Sequence, residues 1–515
     1  MTKQRALMKK AIIFICLAIF ICIATSESSS ADDKDYFLIS KLGVADKLQD
    51  IHVEDVDLDG LKDILITHRK GLSPNESRWI SIFYQNPDDG FSPAADQSWE
   101  IDTLASIIDT GDIIGDKKKE IIYSTAHEIR YYSIEGTFYN NTPSVLFPVE
   151  GMMVSPSKSY LPHVNFVRDW NEDGRDDIAV FKFDGLTIFS RDSAGSFTSR
   201  NRVNVEIDKR VREWNSFKDD TFITSGLTSY FSFPSINLID YNNDGRRDLI
   251  VTTKDKLSVF LRTNDGGFST KVQKERNFDV RSRKEKIDGT SNVETTINDL
   301  DGDGYADAIV TKQTSKGLTN LRGVLNIFRG SPDDYSDSPQ QVIISEGTAS
   351  AETRISDVNG DGRMDLIMPS VKISITSIIR ILLTRSLPIN FNIFLLNEDG
   401  SFSERPDFSK EVKLKIDFSG ETDTPAMSLE GDYDGDKRKD FVYATDEDEL
   451  SIYRGVEDED KLFSDDSAVE INVNAFGRLS VYDLNDDDYS DIIIRYNVNT
   501  EYDGTATVLI NLGRI

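Results

Sequence analysis

Cysteine is nearly missing from this chain of 515 residues: Cys16 and Cys22 are its only two, and both sit in an N-terminal segment that reads as removable. The remainder has no thiol, which excludes disulfides and thiol catalysis. Histidine is almost as scarce, and His52, His68, His127 and His163 show no metal-type spacing. The patterns G-x-S-x-G, H-E-x-x-H and the phosphate-binding loop do not occur, so no catalytic residue is nominated. Positive charge is short as well, with 59 Lys and Arg against 89 Asp and Glu and a formal net charge of −30. Such an acidic surface repels phosphates and excludes nucleic acid as a partner, while it suits bound cations and solubility.

Long apolar runs are missing after the first residues. The one present, AIIFICLAIFICIA, is 14 residues long, follows the basic MTKQRALMKK and precedes the small, polar TSESSSADD. That is the plan of a secretory signal, with a core too short to span a membrane comfortably. Residues 1–31 are assigned to it, with cleavage near residue 26 or 31. The mature protein is expected to be secreted, periplasmic or at the cell surface, monomeric and without a transmembrane span.

What the chain has in plenty is one short acidic loop. NDLDGDGYADAIVT contains DLDGDGYAD from Asp299, and related stretches begin at Asp55, Asp169, Asp240, Asp357, Asp432 and Asp483. A worn copy, DIIGDKKKE, begins at Asp112. Successive starts are 57, 57, 71, 59, 58, 75 and 51 residues apart, so eight units fill residues 32–515. Each loop runs into an apolar stretch such as IAVF or LIVT, the pattern of a strand buried on both faces. A turn and a second strand follow, ending in a Gly-aromatic corner as in NIFLLNEDGSF.

Loop, strand, turn and strand at this period predict an all-β fold: a β-propeller of four-stranded antiparallel sheets in a single domain, residues 32–515. Eight blades are expected, or seven if the worn repeat at Asp112 belongs to an irregular insert. The last unit, ending in TATVLINLGRI, lacks a fourth strand, and KDYFLISKLGV near the N-terminus is a spare one. Pairing these two closes the ring and removes exposed sheet edges.

The loop reads D-x-[DN]-x-[DN]-[GKD]-x-x-D. Oxygens at positions 1, 3, 5 and 9, with the position-7 carbonyl, suit Ca2+, which takes about six to eight oxygen ligands. An EF-hand needs Glu at position 12 and flanking helices; here position 12 is Ile66, Val180, Val251, Val310 or Met368, each inside a strand pattern. With a strand after position 9, the repeats resemble the FG-GAP/VCBS repeats of integrin-like β-propellers over nearly all of residues 32–515.

The resemblance implies Ca2+ between the first two strands of about seven blades. The ligands it implies are Asp55, Asp57, Asp59 and Asp63; Asp169, Asn171, Asp173 and Asp177; Asp240, Asn242, Asp244 and Asp248; and Asp299, Asp301, Asp303 and Asp307. The remaining loops supply Asp357, Asn359, Asp361 and Asp365; Asp432, Asp434, Asp436 and Asp440; and Asp483, Asn485, Asp487 and Asp491. The loop from Asp112 keeps only Asp112, Asp116 and Glu120 and is expected to hold no ion, its KKK run standing in for one. Lys437 and Asp488 replace the position-6 Gly, which puts the turn there in question.

Two intervals are longer than the others. One insert, near residues 200–235, carries Trp214, Phe217, Phe222, Tyr230, Phe231 and Phe233; it reads as an extended strand on its own blade or a glycan-stacking loop. In the other, near residues 369–390, Ile375, Ile378, Ile379, Leu382 and Leu383 fall at helical spacing before Pro388, as in a helix capping the propeller core or docking on a partner or lipid surface, while the abundant isoleucine also suits a strand. Together these features describe an exported calcium-binding propeller acting as a binding or adhesion module for a protein or glycan. The alternative is a secreted carbohydrate-active enzyme, a polysaccharide lyase or hydrolase on the same scaffold.

Overall fold

The computed structural model describes residues 36–515 apart from 73–74, 153–159, 193–194, 214–226, 289–290, 316–320, 333, 346–352, 372–382, 385, 416–424, 459–460 and 497–502. The signal segment, residues 1–31, lies outside the described residues.

Eight four-stranded antiparallel sheets form the blades of a β-propeller. Blade 1 opens with Lys47–Glu54, blade 2 with Ile107–Gly111, blade 3 with Val167–Arg168 and blade 4 with Ser235–Ile239. Blades 5 to 8 open with Ser291–Asn298, Arg354–Ser356, Met427–Ser428 and Arg478–Tyr482. The worn repeat at Asp112 heads a complete blade, whose later strands are Glu120–Ser124, Glu128–Tyr132 and Ser144–Pro148, so the count is eight.

The apolar run after each acidic loop is the second strand, covered by the blades on either side. Ile64, Leu65 and Ile66 are all buried, as are Ile492, Ile493 and Ile494. Consecutive burial without alternation is what a sheet sandwiched on both faces requires. The core is a series of layers between adjacent blades. Val56, Ile80 and Trp99 of blade 1 pack with Ile108, Ile121 and Tyr123 of blade 2. The Gly-aromatic corners pin these layers: Phe91, Phe268 and Phe402 are buried, each just after a turn whose glycine, Gly90, Gly266 or Gly400, has positive φ.

Ring closure follows the spare-strand expectation. Phe37–Gly43 pairs antiparallel with Thr505–Asn511, from Phe37 opposite Asn511 to Gly43 opposite Thr505. It is the fourth strand of blade 8, so that blade joins the two ends of the chain.

The inserts take other forms. Blade 3 already has its fourth strand in Phe197–Val203, and the aromatic segment beyond it is a separate two-stranded ribbon pairing Asp208–Glu213 with Leu227–Ser232. Phe231 meets Phe183 edge-on at 5.9 Å and Phe233 lies 4.7 Å from Phe181, so these aromatics pack on blade 3. Trp214, Phe217 and Phe222 lie outside the described residues. In the second insert, Leu383 and Thr384 are helical, and Pro388 sits beyond them within the strand Ser386–Phe394, opposite Lys413. Leu383 is exposed; Ile375, Ile378, Ile379 and Leu382 lie outside the described residues.

Phe37 is buried between the last two blades with Ile452, Ile471 and Leu509. Phe37→Ala is expected to destabilise the protein by about 3–5 kcal/mol, as read from urea unfolding.

Candidate metal centres

Each acidic loop joins the first strand of a blade to its second, and its carboxylates first of all shape the backbone. The position-1 carboxylate accepts the position-6 N–H in every blade: Gly60 donates to Asp55 at 3.2 Å, Gly174 to Asp169 at 2.8 Å and Gly245 to Asp240 at 2.7 Å. Gly304 donates to Asp299 at 3.0 Å, Gly362 to Asp357 at 2.9 Å, Lys437 to Asp432 at 2.7 Å and Asp488 to Asp483 at 3.2 Å. The worn loop does the same, with Lys117 donating to Asp112 at 2.9 Å.

Position 6 is left-handed in all eight loops, including Lys117, Lys437 and Asp488, where φ is 75°, 74° and 68°. The turn at Lys437 and Asp488 is therefore kept, against the cost that L side chains meet there. Position 4 is left-handed throughout as well, at Leu58, Gly115, Glu172, Asn243, Gly302, Gly360, Gly435 and Asp486. Sequence reasoning missed this second reversal; the glycines at four of the eight loops, Gly115, Gly302, Gly360 and Gly435, were its signal.

Position 9 is buried in every blade, at Asp63, Glu120, Asp177, Asp248, Asp307, Asp365, Asp440 and Asp491. This group clasps the blade. Asp440 accepts the N–H of Tyr433 in its own loop and of Gly455 after the third strand, both at 2.7 Å. Asp491 does so with Leu484 and Asn511, both at 2.6 Å, and Asp365 with Val358 and Leu396, both at 2.9 Å. Burial pushes Asp63, Asp177, Asp440 and Asp491 up to about 7 and Asp365 to about 6. A nearby cation would keep such carboxylates ionised.

The loops also join blade to blade. The position-8 N–H donates to a carbonyl at position 1 or 2 of the preceding loop: Lys62 to Leu484 at 2.8 Å, Met364 to Leu300 at 2.9 Å, Lys439 to Val358 at 2.9 Å and Ser490 to Asp432 at 2.8 Å. The first of these crosses the junction where the ring closes. Between blades 3 and 4 a side chain serves instead, Arg262 Nη1 donating to the Trp170 carbonyl at 3.0 Å.

The loops keep oxygens left over for a cation. Ligand atoms of Asp55, Asp57 and Asp63 converge within 4.8 Å of one another, as do those of Asp299, Asp301 and Asp303, and of Asp432, Asp434 and Asp440. Asp177 Oδ2, Asp301 Oδ1 and Asn485 Oδ1 are buried without a hydrogen-bond partner. Surplus buried acceptors at hard-oxygen spacing fit a cation such as Ca2+. In the loops with Asn at position 3, the amide donates to the position-5 carboxylate, as Asn359 does to Asp361 at 3.0 Å; an ion there needs the amide turned about.

Arginines distinguish the loops. Arg175, Arg246 and Arg363 fold from position 7 onto Asp173, Asp244 and Asp361 at 2.6, 2.9 and 2.6 Å, and the Arg246 guanidinium holds Asp244 below the usual carboxylate range. In blade 5, Arg329 Nη1 enters the ring itself, 2.7 Å from Asp307 and 3.5 Å from Asp301. The lysines at the worn loop turn outward, Lys118 to the Gly136 carbonyl and Lys119 to Asp176 at 3.3 Å, and Arg191 of blade 3 instead reaches the Ile114 carbonyl.

The fold also gathers two histidines that lie far apart in the sequence. His52 and His163 stack with ring centroids 4.0 Å apart. His52 Nε2 is 2.8 Å from Thr110 Oγ1 and His163 Nε2 is 3.1 Å from Asp109 Oδ1. Burial, aided by His163, lowers the His52 pKa to about 3.

A ring of eight such blades with these loops defines a class, the FG-GAP repeat β-propellers, and residues 240–310 and 299–368 each match the FG-GAP-like repeat. A T-cell immunomodulatory protein homolog of Plasmodium yoelii yoelii is 25% identical over 412 residues, 71% of this chain and 55% of that protein. The chain thus spans about half the length of this relative. A lectin of Agrocybe aegerita, solved for its recognition of non-reducing terminal N-acetylglucosamine, is 16% identical with a TM-score of 0.42, over 90% of this chain and 96% of that one. Sqt1 of Chaetomium thermophilum is 9% identical with a TM-score of 0.42, over 92% and 100%.

Two outcomes are expected. Replacing Lys437 by Gly relieves a left-handed side chain and should stabilise the protein by about 0.5–1 kcal/mol in urea unfolding. His52 gains its proton near pH 6.5 when unfolded and near pH 3 when folded. Across that window the unfolded state binds more protons, so stability falls as pH falls, by up to about 1.4 kcal/mol per pH unit. His52→Gln should flatten the stability profile by this slope, measured by urea unfolding across the window.

Proposed function

We propose that this protein is an exported β-propeller whose acidic loops bind structural Ca2+ and whose rigid ring serves as a binding or adhesion module for a protein or glycan ligand. The observation that carries this reading is the repetition of one oxygen-rich loop in seven blades, with buried acceptors left over and each loop fixed by its own backbone. Positions 1, 3, 5 and 9 would hold the ion in each. Blades 1 and 8 are the strongest candidates, because among the described residues their loop carboxylates pair with no cationic side chain. Blade 5 is the weakest, since Arg329 already neutralises part of its ring.

Export is supported by the basic, apolar and small-residue order of residues 1–31. Among the described residues no helix is long and apolar enough to cross a membrane. The Plasmodium relative, described as a T-cell immunomodulatory protein homolog, supports a role in recognition. The ions would act on stability and not on chemistry. At about 1 mM free Ca2+ and a Kd near 0.1 mM, each site contributes about 1.4 kcal/mol. Seven such sites give about 10 kcal/mol, comparable with the whole stability of a domain.

The chelator-stripped chain, titrated with Ca2+ while metal content and thermal unfolding are followed, should take up about seven ions with a large rise in Tm. Asp57→Ala should remove one ion from the count. No uptake at millimolar Ca2+ would overturn the metal reading. On a glycan array followed by product analysis, binding without bond cleavage is expected, and cleavage would favour the enzyme.

A further inference from the structure

Between blades 2, 3 and 4 lies a cavity of about 230 Å3, walled by Ile107, Phe166, Phe181 and Ile236 among others. Among the described residues one charged side chain, Arg168, lines it. Its guanidinium lies over the indole of Trp170, 4.0 Å from the ring centroid. Its Nε–H is shielded from solvent and, among the described residues, has no acceptor. Among the described residues no carboxylate forms an ion pair with it, although the chain holds 89 acidic residues.

The acid that acts on Arg168 through space is Asp109, and its oxygens are already committed. Oδ2 accepts the N–H groups of Phe166 and Val167, both at 2.7 Å; Oδ1 accepts the Thr110 N–H at 2.9 Å and lies 3.1 Å from His163 Nε2. Arg247, a second cation acting on Arg168, has its own partner in Glu172 at 2.6 Å. The cavity is therefore apolar in its walls and holds an uncompensated cation on an aromatic base. A partly buried guanidinium without a counter-charge is costly, and the same cost becomes affinity when an anion arrives.

We propose that this cavity is a binding site for a small organic anion, a carboxylate seated on Arg168 and carrying a flat apolar body held between the cavity walls. Stacking on Trp170 occupies one face of the guanidinium and leaves its edge for a two-point carboxylate contact. Size limits the guest: a dry cavity of about 150 Å3 holds benzene, so this one admits a single ring with its head group and not a folded peptide or an oligosaccharide. Arg168 and Trp170 flank Asp169 at the head of the blade 3 loop, but the seat for the anion is the guanidinium and not the loop's oxygens.

The test uses the full chain with sodium benzoate as probe and benzamide as its neutral isostere, followed by tryptophan fluorescence and calorimetry. Saturable binding of one benzoate per chain is expected, with benzamide weaker by about 10- to 100-fold. Arg168→Gln should abolish the preference for the charged probe, and Arg168→Lys should keep part of it. Equal affinity for the two probes, unchanged benzoate binding in Arg168→Gln, or no saturable binding at millimolar benzoate would each overturn the proposal. If Arg168→Gln fails to fold, the comparison of the two probes on the unaltered chain decides alone.

Discussion

A buried carboxylate that accepts two backbone N–H groups is the interaction on which the rest of this ring depends. At Asp440 one donor lies in the acidic loop and the other just past the third strand, so a single side chain fixes the loop against the blade it heads. The same arrangement at Asp365 and Asp491 gives successive loops a common shape. With that shape set, position 8 of one loop meets the carbonyls of the loop before it. Burying a carboxylate is expensive unless hydrogen bonds or a cation compensate it, and here the hydrogen bonds come from backbone groups that would otherwise need partners of their own.

The same loops solve the charge problem in more than one way. Where Arg175, Arg246 and Arg363 fold back from position 7, the chain brings its own cation to the edge of the ring. Arg329 goes further and enters the ring. In blade 1 the acids converge with no such help. A repeated motif is thus not a repeated site: the backbone is copied from blade to blade, while the electrostatics are adjusted by residues that the motif leaves free to vary.

This explains what the sequence makes legible. Blade number, the second strands and the closing strand follow from spacing and apolar runs, because a loop with fixed oxygens and a strand buried on both faces leave little freedom in residue type. The left-handed turn at position 4 is hidden where Leu58 or Glu172 occupies it, since only glycine advertises such a conformation. The arginines are invisible because position 7 is free to vary and Arg329 lies past the third strand of its blade, far from the loop in sequence. The stacked pair His52 and His163, and the cavity at Arg168, arise from contacts between different blades, which no local pattern encodes. At Pro388 the sequence marks where a helical period must stop, while the fold carries that proline inside the strand Ser386–Phe394.

The pairing of Phe37–Gly43 with Thr505–Asn511 has a consequence for the order in which the protein is made. The strand that completes blade 8 leaves the ribosome before any other strand of the ring, yet its partner follows the other seven blades. Blades 1 to 7 can assemble in sequence as they emerge, while the leading strand waits unpaired until Asn511 has been synthesised. Bringing such distant ends together adds only about 0.6 kcal/mol for each doubling of the span, so the delay is one of time more than of equilibrium. Until then the nascent ring is a slit washer with two sticky edges, open to wrong partners.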